Sequence, residues 1–149
     1  MMTSEPVGEP LDQDVSFRLV SFEGVTYELS APSPLLHFRE SEGEQRAFSI
    51  AIGVADAVGI AGAAEGRYGL RPSTSELLSL IIDGLLADVV AVRLVRVEGG
   101  VVFAELDLMS ASGRRVFDCR PSDAVAIALR SPSVPVLVNE AIVSSLVHP

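Results

Sequence analysis

Lysine is absent from this 149-residue sequence, cysteine occurs once, at Cys119, and histidine only at His37 and His148. One cysteine excludes an internal disulfide and suits a reducing compartment; before a helix start, in an apolar strand, it reads as a small buried thiol rather than a nucleophile. All eleven basic residues are arginine, a bias that fits high-GC coding better than a functional demand. Two isolated histidines build no zinc cluster, and the pair Ser122-Asp123 lacks a nearby imidazole for a nucleophilic triad. No glycine-rich phosphate loop follows a strand. The few aromatics are scattered over strands and make no base-stacking platform. No stretch reaches the roughly 18 uninterrupted apolar residues of a membrane span, because Asp56, Glu65, Asp83 and Asp88 break the candidates. The opening MMTSEPVGEPLDQD has neither a basic start nor an apolar core, unlike a secretory signal. These absences lead to the expectation of a cytoplasmic protein with no membrane partner and no organic cofactor.

What is present is a chain that is 48% hydrophobic and carries a net charge of −9. That length and composition suit one core. Glu5, Glu9, Asp12 and Asp14 all precede the first arginine, Arg18, which leaves 16 acids against 11 arginines in the remainder. A net-acidic surface does not attract polyanions, so binding DNA or RNA requires a local arginine cluster or a bridging divalent cation.

Residues 1–13, acidic and containing Pro6, Gly8 and Pro10, are expected to form a disordered tail that the fold can spare; residues 14–149 are expected to form the domain. VSFRLVSFEG, VTYEL, PLLHFRE and RAFSIAI read as short strands bounded by Gly24, by Ala31 to Pro34 and by Glu42-Gly43. Gly53 to Glu65 is a small-residue helix whose internal glycines point to close approach of the sheet. Ser73 to Glu76 has capping-box spacing and starts a helix ELLSLIIDGLLAD with leucine or isoleucine on nearly every side. One sheet surface cannot cover all of them, and a homo-oligomer, most simply a dimer, is expected. Val89–Val97, Val101–Met109 and Arg114–Cys119 form a hairpin meander with one wet face, marked by Arg93, Arg96, Glu105 and Asp107. Pro121 opens a helix with Asp123 in its first turn and Arg130 at its end. A short strand, Val134 to Val138, and a helix from Asn139 to Val147 complete the chain.

DAVGIA at Asp56 to Ala61 recurs as DAVAIA at Asp123 to Ala128, each after strands with an Arg-x-Phe step. The fold class is therefore α+β: a single domain with internal duplication of a three-strand-plus-helix unit, its antiparallel or mixed sheet packed by small-residue helices.

The most specific segment is Asp118 to Arg130, DCRPSDAVAIALR. With RAFSIAIG at Arg46 to Gly53, Asp56-Ala57, Arg71-Pro72 followed by Thr74 and Leu77, Phe103-Ala104 with Leu106, and Glu140, it resembles the bifunctional nuclease domain family over roughly residues 34 to 146. The resemblance implies hydrolysis of phosphodiester bonds in DNA or RNA with divalent-metal help. It implies Asp123, Arg120, Asp118 and Arg71 as catalytic residues, Arg71, Arg120 and Ser122 as substrate contacts, and Asp118, Asp123 and Asp56 as oxygen ligands for Mg²⁺ or Mn²⁺. Where the family pattern has His-Asp, this chain has Ser75-Glu76. A second reading stays open beside the enzyme: a catalytically silent oligomeric binding or regulatory module, in which Asp123 caps a helix and Arg120 pairs with acids.

Overall fold

A computed structural model describes residues 15–67 and 69–147; the tail expected at residues 1–13 lies outside them. The first strand, β1 (Phe17–Thr26), alternates inward Val20 with outward Leu19 and Ser21. It was expected to stop at Gly24 but runs through it: pairing with β2 (Leu35–Glu40) shifts register between Phe22 and Gly24, whose φ of +146° only glycine takes without strain. The break is a β-bulge. β3 (Ala47–Ala51) pairs with β2 and completes an antiparallel meander.

The second meander, β4 (Asp88–Glu98), β5 (Val101–Ser110) and β6 (Gly113–Cys119), follows the expected turns, with Gly99 and Gly100 both at positive φ between β4 and β5. β7 (Val136–Asn139) lies between the meanders, antiparallel to β1 and parallel to β4. The result is one mixed seven-stranded sheet in the order β3-β2-β1-β7-β4-β5-β6.

Alternation puts Val20, Leu36, Phe38 and Phe48 of one half, and Val92, Leu94 and Ala104 of the other, into a single buried cluster. Helices cover it. α1 (Val54–Ala64) packs on α3 (Pro121–Leu129) and β1, α3 on β4 and β5, and α4 (Glu140–Leu146) on β3, β4 and β7, while α2 (Thr74–Gly84) touches α3 and β4. Asp56 and Asp123, the echoed acids, each stand third in their helix. The chain order does not establish a duplication, since β7 has no counterpart in the first half.

Two further expectations are corrected. A Cβ at Gly59 or Gly62 would meet no atom within 4 Å, so close approach is not why those glycines are there. The outward face of the second meander is not uniformly wet: Asp107 is fully buried beneath Arg93 and Arg114, which hydrogen-bond it at 2.7 to 2.9 Å. Burial alone would raise the Asp107 pKa, but the bonds from Arg114 and Arg93 outweigh it and hold the carboxylate below its usual range.

A second ionic cluster ties β1, β2 and the start of β3 to α4. Arg46 Nη2 reaches Glu40 at 2.6 Å and Glu140 at 2.7 Å, and Arg18 Nε reaches Glu140 at 2.8 Å. Hydrogen bonds from Arg46 and then Arg18 pull the Glu140 pKa down to about 2. A depressed carboxylate stabilises the fold above its unfolded pKa and loses that contribution as pH falls through the folded value. The thermal midpoint should therefore fall from about pH 4.5 toward about pH 2. In Glu140→Gln the midpoint should be lower at neutral pH and fall less across that window, a comparison differential scanning calorimetry makes directly.

Candidate active site at two helix starts

The segment Asp118 to Arg130 passes from the last residues of β6 into α3. Pro121 takes the first helical position, where its missing N–H costs nothing, and Arg120 is the N-cap. Asp123 then turns back to accept the Arg120 backbone N–H at 3.1 Å, the returning half of a capping arrangement. Its carboxylate also accepts from Arg120 Nε at 3.1 Å and Nη2 at 3.0 Å.

The same guanidinium crosses to α1, where Arg120 Nη1 donates to Asp56 Oδ2 at 3.0 Å and Nη2 to Asp56 Oδ1 at 3.3 Å. One arginine thus holds two carboxylates at the starts of two neighbouring helices. The Arg120 side chain is 63% exposed, so a ligand can reach it. Its pKa is raised, first by the hydrogen bond to Asp123, then by the charges of Asp123 and Asp56. The cluster carries one positive and two negative charges.

The remaining sequence-derived residues lie elsewhere. Asp118 is exposed and alternates to the sheet face opposite Cys119, with Glu105 as its register partner. Ser122 is buried in the first turn of α3, out of reach of a large polyanion. Arg71 is exposed, three residues before α2, without a hydrogen bond or ion pair to any described residue. Burial pushes the Cys119 thiol up to about 12, with Asp123 and Asp118 adding to the effect, so it is no thiolate nucleophile.

Among the described residues no group of three His, Cys, Asp or Glu could hold a metal ion. The oxygen donors of Asp56 and Asp123 are of the right type for Mg²⁺ or Mn²⁺, but Arg120 already occupies both carboxylates, and a cation does not fit the site as folded.

Ser75 and Glu76 lie at the start of α2. Ser73 caps it by accepting from the Glu76 N–H at 3.3 Å, but the reciprocal half of the expected box is not made. Glu76 instead lies 3.7 Å from Arg130, whose Nη2 donates to Ser75 Oγ at 3.0 Å. Arg130 thereby ties the end of α3 to the start of α2, a link the sequence did not suggest. The Glu40–Arg46–Glu140 cluster was also missed: 94 residues separate Arg46 from Glu140, and no local spacing signals their meeting.

The family model for the bifunctional nuclease domain matches residues 36–148. The chain belongs to the bifunctional nuclease domain family. Two proteins of Mycobacterium tuberculosis, uncharacterized protein Rv1829 of strain H37Rv and uncharacterized protein MT1877 of strain CDC 1551, are each 35% identical over 127 residues, covering 81% of this chain and 71% of each relative. Their names assign no reaction. No described helix is long and apolar enough to cross a membrane.

Proposed function

We propose that this bifunctional nuclease family member hydrolyses phosphodiester bonds in DNA or RNA, with Asp56, Arg120 and Asp123 at the centre of its site. The observation that carries the reading is the placement of exposed Arg120, from the most family-like segment, between two acids at two helix starts. A substrate phosphate competes with the carboxylates for the guanidinium, which can grip two of its oxygens at once. A carboxylate released by that exchange accepts a proton from attacking water as the bond from phosphorus to the leaving sugar oxygen breaks and that oxygen takes a proton from solvent water, while Arg120 and nearby helix-start amides face the charge that develops on the phosphoryl oxygens. A divalent ion finds no free carboxylate here as folded, so metal-dependent cleavage requires that the substrate phosphate first draw Arg120 away from one of them. The reading puts the activity in the cytoplasm.

The second reading, a catalytically silent binding or regulatory module, draws on a separate observation. Among the described residues every arginine but Arg71 and Arg115 is engaged by an acid, which leaves little free positive charge for a polyanion. Incubating the chain with end-labelled single-stranded DNA and RNA under Mg²⁺ or Mn²⁺ separates the two. The enzyme reading expects cleavage that falls about a hundredfold or more in Arg120→Ala. A wild type that cuts neither strand under Mg²⁺, Mn²⁺ or Ca²⁺ supports the module.

A further inference from the structure

We infer that the outer surface of α2 and the turn that ends it form a two-fold contact with a second copy of this chain. Ile82 is the only buried residue of α2. Leu77, Leu80, Ile81 and Leu85, with Leu86 just beyond, remain 48% to 85% exposed. At 100° per residue the first four lie within one continuous arc, and Gly84 falls inside it; a Cβ there would meet only open space. Glu76 and Asp83, the charged residues of the helix, lie outside that arc: when the arc is covered Asp83 stays in water and Glu76 stays beside Arg130.

The turn after α2 gives independent support. Leu86 donates its N–H to the Asp83 carbonyl and Ala87 to the Ile82 carbonyl, the paired bonds of a Schellman ending, which requires the left-handed region at Leu86, φ +57°. Glycine adopts that region freely and leucine does not. α1 ends in the same motif, with Gly66 bonded to Ala63 and Arg67 to Gly62, and there the left-handed position is a glycine, φ +70°. In α2 the strained position carries a large apolar side chain that projects into solvent. The apolar contact that accompanies this ending falls between the residues corresponding to Ala87 and Ile82, so the cap does not need the Leu86 side chain. A surface that removes it from water does.

Area and charge select the occupant. The five exposed side chains present about 600 Å² per copy, so a two-fold pair that covers them buries about 1,200 Å², the lower end of stable interfaces. Membrane-surface helices carry Lys and Arg on the polar face, whereas α2 has none and bears two acids. Two copies bring together identical uncharged arcs, and Gly84 allows the helices to approach closely.

Light scattering on the full chain should give twice 15.7 kDa at high micromolar concentration, with a thermal midpoint that rises with concentration. Leu80→Glu should weaken association about tenfold or more while leaving the circular dichroism spectrum unchanged. Leu86→Gly is the sharper variant: it should also weaken association, yet at low concentration, where the chain is monomeric, its midpoint should equal or exceed that of the wild type. A wild type that stays monomeric at high micromolar concentration overturns the inference. So does a dimer that persists in both variants, or a Leu86→Gly midpoint lowered equally at every concentration, which would assign Leu86 to the fold. The outcome is independent of whether the chain cleaves nucleic acid.

Discussion

Asp107→Ala is expected to lower the unfolding free energy by about 3 to 5 kcal/mol, which for a domain of this size is a drop of roughly 10 °C in the thermal midpoint. Asp107 has no exposed surface and lies between Arg93, only 12% exposed, and the more open Arg114. Taking away the shared anion strands the Arg93 guanidinium among buried atoms, where its Nη1 already finds no partner. Arg114 can swing into water and contributes less. The asymmetry gives an internal check: Arg114→Met should cost clearly less than Asp107→Ala, because it leaves the Arg93 bond intact. Replacing Arg93 and Asp107 together by apolar residues of similar volume should recover most of the loss, since the desolvation of both charges is then removed. Urea unfolding of the four proteins measures all three differences. A loss below about 1 kcal/mol in Asp107→Ala would mean that Arg93 reaches water once its partner is gone.

Asp107 also illustrates the limit of reading a sheet by alternation. The pattern of Arg93, Glu105 and Asp107 correctly places them on one face, because side-chain direction along a strand is local. It cannot state how wet that face is, which depends on two arginines from neighbouring strands closing over one small acid. The β4-β5-β6 meander was legible for the same local reason, its turns being set by Gly99-Gly100 and Gly113. β7 was legible as an apolar strand but not as the joint between two meanders, because its four residues take their meaning from partners more than a hundred residues away in β1. Gly24 was taken for a turn, since a bulge and a turn make the same demand on glycine and differ only in what the partner strand does.

The candidate site divides along the same line. The Arg120–Asp123 contact is three residues long and follows from helix capping. The Asp56 contact spans 64 residues, and its sequence signals were the family resemblance at Asp56-Ala57 and the echo between DAVGIA and DAVAIA, which sets both acids at the third position of their helices. Asp118, two residues before Arg120, was grouped with Asp56 and Asp123 through the family resemblance. Strand alternation instead carries it to the face it shares with Glu105.

Asp123→Asn divides capping from chemistry at this site. Asparagine keeps the size of the side chain and an oxygen that can accept the Arg120 backbone N–H, while the charge that attracts the guanidinium is gone. Water reaches both groups, with the Arg120 side chain at 63% and the Asp123 side chain at 39%, and pairs open to solvent contribute little, so the stability loss should be about 1 kcal/mol or less. If Asp123 accepts a proton during cleavage, the effect on rate is of another order: an amide is no base at neutral pH, and phosphodiester hydrolysis should fall by about a hundredfold or more. Asp56→Asn removes the other acid on Arg120 without touching the α3 cap, and it should preserve stability equally well. Comparing the two variants shows which carboxylate does the chemistry, since the one that only holds Arg120 should raise KM more than it lowers kcat. A protein in which Asp123→Asn cleaves at the wild-type rate but unfolds several degrees earlier would assign Asp123 to capping, and the two helix starts would then be joined by Arg120 for the sake of the fold alone.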